Sequence, residues 1–562
     1  MNSELTVIKQ KITTIFTEVL DELKWPKIGV EIVAASDPKF GDYTTNWSLQ
    51  QSKNDSLSNY HSPQEIAKKL VEKLTEKIEE DGDHILEKAE IAGPGFVNFF
   101  VKNNVLVEEV VKIKNKEKDY FKNRTGNGKK ARIEFVSANP TGPLHFGNAR
   151  GGPIGDVLAN VLAASGYEVL REYYHNDVGG QIEKLGQSLL NLLNGGKLED
   201  QEYKGEYMLD LVKEIKPMSF WKNSTAYLVG SSAAQTILKW IMRDLLDLGI
   251  IFTHPPYNEH EMVVKYTPKV IKVLGKYLKF KDDALWFAPD DKFLKDRECV
   301  VVKSDKSYTY FANDIAYHDL KFKDNPDLVI DVLGANHSGH VPRLQAAVSA
   351  LGYDVNKFKV ILYQWVRFKK GEEILKMSKR AGTFITVEEV LKEVGKDATR
   401  FFLLMHDPNT PIDFDLDLAK KKSSDNPVFY VQYAHARISS ILEKSKSQSL
   451  DFARDKRVKE SKLTNQLYAK DYTLNLFERN LALKLIHLPE IIEEISKTFA
   501  VQRLATYSIE VADLFHKFYE NCRVIDEPDE RVAKFRLELV NATGNTLKST
   551  LKLLGIEAPV KM

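Results

Sequence analysis

Two short segments far apart in the chain carry residue types suited to managing phosphate charge: His145-Phe146-Gly147-Asn148 and Lys376-Met377-Ser378-Lys379-Arg380. In a helix the imidazole at 145 and the carboxamide at 148 lie one turn apart, so both can reach one phosphate, and Gly147 lets a ligand lie against the backbone. Lys376 and Lys379 sit between Gly371 and Gly382. Ammonium groups on long stems suit a leaving pyrophosphate, and glycine at both sides predicts a loop that closes when a nucleotide is present. Together the segments supply donors for both ends of a triphosphate, where in-line attack on the α-phosphate builds negative charge. Each has a plainer reading alone. The first could be a helix cap with a surface histidine, the second a solvated cationic face. Their joint occurrence favours the phosphate reading.

The elements that must position these groups can be read from periodicity. Ile133, Phe135 and Val136 predict a short buried strand, the stretch 137–144 a loop with Asn139-Pro140 and Gly142-Pro143, and Ile154, Val157, Leu158, Val161 and Leu162 a following helix. Further strands are expected at 168–174, 299–303, 328–333 and 359–364. Strand–helix alternation predicts a parallel sheet with right-handed crossovers, and ligands of such sheets bind beyond the carboxyl ends of the strands. Between about 191 and 293 the pattern is mainly helical and charged, an insertion between sheet halves.

Ahead of this region, Ile8, Ile12, Ile15, Phe16, Val19, Leu20 and Leu23 mark one helix face, and 66–78 a second helix. Phe96 to Val101 follows Gly93-Pro94-Gly95 as a strand, giving a small α+β domain over 1–121. Residues 122–416 form the α/β domain. From 417 to 562 strand signals vanish and helical faces remain, as at Leu504, Tyr507, Val511, Leu514, Phe515 and Phe518, an all-α bundle. The polar stretch 443–462 is expected as an exposed loop.

Composition narrows the classes. No apolar run approaches the roughly 20 residues that span a bilayer, and Glu4, Lys9 and Lys11 interrupt the N-terminus where a signal peptide would be apolar, so the chain is read as cytoplasmic, without a membrane partner. Two cysteines, Cys299 and Cys522, provide neither a disulfide framework nor a Cys-ligated zinc site. Net charge is +1, so any nucleic-acid contact rests on local patches.

The paired motifs resemble the two signature motifs of class I aminoacyl-tRNA synthetases. Ser137-Ala138-Asn139-Pro140-Thr141-Gly142-Pro143-Leu144-His145 and Asn426-Pro427-Val428-Phe429-Tyr430-Val431-Gln432-Tyr433-Ala434-His435-Ala436-Arg437 are similar to arginyl-tRNA synthetases in particular. The resemblance implies a Rossmann-like catalytic domain that forms arginyl-adenylate from L-arginine and ATP, with Mg²⁺ accompanying the ATP, and passes the arginine to tRNA. It implies catalytic roles for His145, Asn148, Lys376 and Lys379, and ATP contacts from His145, Gly147, Asn148, His337, Met377 and Lys379. Arginine would be held by Glu134, Ser137, Asn139, Tyr310 and Asp314, with no protein-held metal and a monomeric enzyme. A guanidinium is a planar fork of five donors that stays charged, so its pocket needs carboxylates, and Tyr310 and Asp314 share one face if their segment is helical.

The N-terminal segments Phe40-Gly41-Asp42-Tyr43 and Gly93–Asn98 look like the family's domain for the outer corner of tRNA, and 417–562 like its anticodon-binding domain. The family also implies that activation needs bound tRNA. Departures are Asn148, where relatives often have histidine, Asn336, where aspartate is more frequent, and Lys306-Ser307, where an Asp-Gly-like turn is usual. Two rivals remain at this stage: another enzyme of the same fold, and a silent tRNA-binding relative.

Overall fold

The computed structural model describes residues 8–35, 37–80, 85–116, 119–295, 297–371, 373–375, 385–455 and 472–562. Lys376, Met377 and Lys379 fall outside them. At the N-terminus, helices Ile8–Glu22 and Pro63–Glu80 cover an antiparallel sheet ordered Val33–Ala34, Tyr43–Thr45, Phe96–Val101, Leu86–Ala92. The first helix buries Ile8, Ile12, Ile15, Phe16, Val19 and Leu20, the stripe that its 3.6-residue period dictates.

The central sheet is parallel, ordered Phe358–Tyr363, Leu328–Gly334, Lys130–Phe135, Glu168–Glu172. Its register sets Glu134 opposite Asp331 on one side and opposite Glu172 on the other. All three carboxylates are buried. Helix Gly151–Ala164 follows the first strand and packs against it, as a right-handed crossover requires.

The region 191–293 is more mixed than its sequence pattern. Beside helices Tyr207–Ile215, Ala226–Asp247 and Thr267–Val273 it holds strands Tyr257–Asn258, Leu278–Lys281 and Ala284–Phe287. The last two continue into Cys299–Val302 as a separate antiparallel sheet, so the strand expected at 299–303 exists but does not join the parallel sheet. A strand signal reports burial and β propensity and carries no information about the partner. Helices Gly180–Leu193 and Ala226–Asp247 touch backbone to backbone: a Cβ on Gly186 would lie 1.8 Å from the Ala226 carbonyl oxygen.

The C-terminal region is helical: Pro427–Asp455, Leu476–Ile486, Leu488–Thr498, Gln502–Asn521 and Glu530–Leu554. Residues 443–455, expected as loop, extend the first of these helices, while 456–462 lie outside the described residues. Arginine side chains, one fully buried and one partly so, weld this bundle to the rest. Arg400 donates to the Leu554 and Leu248 carbonyls, at 2.8 and 3.0 Å, and to Asp156 at 2.5 Å. Arg479 donates to Asp42 (2.7 Å), and Tyr43 donates to Glu490 (2.7 Å), so two residues of the Phe40–Tyr43 segment serve as the N-terminal domain's joint to the bundle.

Gly186→Ala should lower the thermal midpoint by several degrees, since overpacking costs about 1–3 kcal/mol. Gly275→Ala, where nothing lies within 4 Å of the added carbon, is expected to shift it little. Differential scanning fluorimetry of the two variants decides it.

Candidate active site

At the carboxyl end of the Lys130–Phe135 strand the chain turns sharply. Val136 and Ser137 both have left-handed backbones, with φ of 70° and 43°, and the Ser137 N–H closes back on the Phe135 carbonyl at 3.1 Å. A β-branched residue in this region is strained and persists only when its surroundings hold it. Here the hold comes from Ser137, whose hydroxyl donates to Glu134 Oε1 (2.7 Å) and accepts the Tyr174 N–H (3.1 Å). The loop beyond is pinned in the same way. Asn139 Oδ1 accepts the Asn176 N–H (3.2 Å), Tyr173 donates to the Ala138 carbonyl (2.7 Å) and Tyr207 to the Thr141 carbonyl (2.9 Å).

His145 caps the short helix Phe146–Ala149, its Nδ1 accepting the Gly147 N–H at 2.9 Å. The cap expected as the plainer alternative is present, and it is compatible with a phosphate role: a neutral ring that accepts at Nδ1 carries its proton on Nε2 as a donor. Asn148 follows within one turn, and its carbonyl accepts from Tyr363 (3.2 Å). The backbone of 144–146 pairs with 385–387 through Phe146 N–H to Ile385, Val387 N–H to Leu144 and a bridge of His145 with Thr386. On the other side of the lysine segment, strand Glu373–Leu375 pairs with Val366–Lys370. Both described ends of that segment are therefore anchored, the later one directly on the His145 backbone.

Across the cleft, helix Tyr310–Phe322 starts at Thr309, whose hydroxyl accepts the Ala312 N–H. Tyr310 and Asp314 share its cleft-facing side, and Asp314 Oδ2 meets His340 Nε2 at 2.7 Å. His337 belongs to the 3-10 turn Ala335–His340. Desolvation against the cleft wall, and secondarily His340, lowers its pKa, so it is a neutral ring at pH 7.

One cleft of about 2430 Å³ gathers Glu134, Ser137, Asn139, His145, Gly147, Asn148, Tyr310, Asp314 and His337 in its lining. Every described residue of the expected site thus faces a single space. The structure adds others. Glu259, on the short helix Glu259–Glu261 of the 191–293 region, is buried, and burial pushes its carboxyl up to about 7 while Asn313 donates to it at 2.7 Å. Tyr207 brings the same region to the cleft beside the Thr141 loop. Lys321 lies beneath, bonded to Glu134. Only Lys321 had a sequence signal, its helical spacing from Asp314. Among the described residues no group of three or more His, Cys, Asp or Glu side chains is placed to hold a metal ion.

Known proteins match the chain along its length. Residues 6–101 match the arginyl tRNA synthetase N terminal domain, 109–215 the catalytic domain of class I (R) tRNA synthetases, and 431–562 the DALR anticodon binding domain. The arginine--tRNA ligase of Thermotoga petrophila is 37% identical across 99% of this chain and 100% of its own. That of Caldanaerobacter subterraneus subsp. tengcongensis is 38% identical across 99% of each. Thermus thermophilus arginyl-tRNA synthetase shares the fold, with a TM-score of 0.76 at 21% identity over 99% of this chain and 100% of that one. With identity at this level running the length of both chains, the protein belongs to the arginyl-tRNA synthetase family.

Proposed function

We propose that the cleft joins L-arginine to ATP and then to tRNA, with the residues gathered above in distinct roles. The arginine carboxylate oxygen bonds to the α-phosphorus as the bond to pyrophosphate breaks, giving arginyl-adenylate. A ribose hydroxyl of the tRNA's terminal adenosine then attacks the arginyl carbonyl, and AMP leaves. The observation that carries this reading is the single cleft lined by His145 and Asn148 together with the carboxylates Glu134 and Asp314. His145 Nε2–H and Asn148 serve the phosphates, and Gly147 admits the nucleotide to the backbone. Lys376 and Lys379, with Met377 between them in the sequence, stabilise departing pyrophosphate. Mg²⁺ comes as part of the ATP substrate, its charge offsetting that of the phosphates.

Glu134, Asp314 and Tyr310 face the guanidinium, while Ser137 and Asn139 line the amino-acid end. His337 adds a neutral ring beside the nucleotide. On this reading 1–121 contacts the outer corner of tRNA, 122–416 performs the chemistry and 417–562 reads the anticodon. All the site residues lie on one chain, so a monomer suffices, acting in the cytoplasm.

His145→Ala should slow adenylate formation by about 100-fold or more, while the lost cap costs only about 1 kcal/mol of stability. Single-turnover activation and a melting curve on the same preparation separate the two; near-normal activation in a folded variant removes His145 from the phosphate site. Asp314→Asn is expected to raise the arginine KM by about 30-fold or more, as for a charge left poorly paired at about 2 kcal/mol or above, with the ATP KM little changed. Equal effects on both substrates would place Asp314 elsewhere. Arginine-dependent pyrophosphate exchange should be strong only when tRNA is present, because tRNA favours the arrangement in which 310–314 and the lysine segment face the nucleotide together. Vigorous exchange without tRNA would refute that coupling.

A further inference from the structure

We propose that Lys321 is a positioning residue for arginine recognition: its buried ammonium is the internal counter-charge that keeps Glu134 ionised and oriented toward the substrate guanidinium. The inference rests on Glu134 lying in the arginine subsite. It starts from the sheet register, which sets Asp331, Glu134 and Glu172 side by side on three adjacent strands. Like charges placed opposite each other in a sheet repel, and burial removes the water that would screen them.

Two cations meet this row. Arg132, two residues before Glu134 on the same face, donates through Nε to Glu172 at 2.9 Å. Lys321 takes the other pair, its Nζ at 2.5 Å from both Glu134 Oε2 and Asp331 Oδ1, with no surface exposed to solvent. The Tyr317 ring lies 4.5 Å from the same ammonium, and Glu172 adds its charge from the neighbouring strand. His318 completes Asp331 by reaching its second oxygen at 2.9 Å, while its Nδ1 faces the Asp314 carbonyl at 2.7 Å.

The arrangement leaves the two carboxylates in different states. Burial works against ionising Asp331, but Lys321 and His318 outweigh it and hold the group down at about 2. For Glu134 burial prevails, with Lys321 offsetting it in part and Asp331 adding to it, so this carboxyl is raised. Glu134 is therefore the member of the pair poised to take a proton if Lys321 is lost. Its other oxygen accepts from Ser137 on the cleft side, where Glu134 joins the lining. Tyr310, Asp314, His318 and Lys321 form one stripe on a single helix, running from the exposed cleft mouth to the buried sheet. A single rigid element thus sets both the carboxylate of the outer subsite and the cation beneath the inner one.

The test compares Lys321→Met, Lys321→Arg, Lys321→Met/Asp331→Asn and Glu134→Gln in aminoacylation from pH 6 to 9, following arginine and ATP KM and melting temperature. Lys321→Met is expected to raise the arginine KM about tenfold or more at pH 7 with the ATP KM within about twofold. That loss should shrink as pH rises and Glu134 ionises, a trend that loss of packing alone would not produce. Lys321→Arg should recover most of the affinity, and Asp331→Asn in the methionine background at least half of the loss on a logarithmic scale. A folded Lys321→Met enzyme whose arginine KM matches the parent at every pH, while Glu134→Gln raises it, overturns the role of Lys321. An unchanged arginine KM in Glu134→Gln overturns the subsite assignment as well. Should Lys321→Met not fold, the double variant stands in, and a large arginine KM defect without pH dependence there overturns the proposal.

Discussion

Three buried carboxylates side by side on adjacent parallel strands are the constraint around which the active-site half of the molecule is arranged. The pairing of Asp331 with Glu134 and of Glu134 with Glu172 is a consequence of register, and a one-residue slip of any of the three strands would turn its carboxylate to the opposite face. Such a row is tolerable in a low-dielectric interior only with cations placed against it. Arg132 comes from within the sheet, but Lys321 must be brought by a helix lying across that face. The same helix carries Tyr310 and Asp314 to the cleft, so neutralising the sheet and lining the cleft are one structural act.

Buried guanidinium groups make the second set of constraints. Arg400 ties the helix after the first strand, the end of the 226–247 helix and the last helix of the bundle into one joint. Arg150, five residues after His145, donates to the carbonyls of Gln364, Asp407 and Thr410, holding the loops around the cleft, and burial lowers its pKa to about 10. Planar forks with five donors suit such joints because each satisfies several carbonyls from one buried charge. The bundle is thereby in direct contact with elements that shape the cleft.

Local strain is concentrated where the first strand gives way to the site. The left-handed backbone at Val136 and Ser137 redirects the chain so that Ser137 returns to Glu134, and the loop then delivers His145 to a helix start. Hydrogen bonds from Tyr173, Tyr174, Asn176 and Tyr207 hold that path. A loop held in this way is preset, with little freedom left to rearrange.

The sequence by itself determined the chemistry-bearing residue types, the strand and helix that flank His145, the helical spacing of Tyr310 and Asp314, and the α-helical character of the C-terminal region. These are local properties: periodicity and short motifs depend on residues a few positions apart. It misread 443–455 as loop because a polar helical extension has the same composition as a polar linker, and it assigned 299–303 to the wrong sheet because propensity does not name a partner. Only the tertiary structure decided that Asp331 and Glu172 flank Glu134, that Lys321 and His340 bind the two carboxylates expected to meet arginine, and that Glu259 lines the same cleft. It alone set the end of the lysine segment on the backbone of His145, 241 positions from Thr386 in the chain. Each of these depends on register and packing between segments tens to hundreds of residues apart, and no local pattern encodes which distant surface a segment will meet.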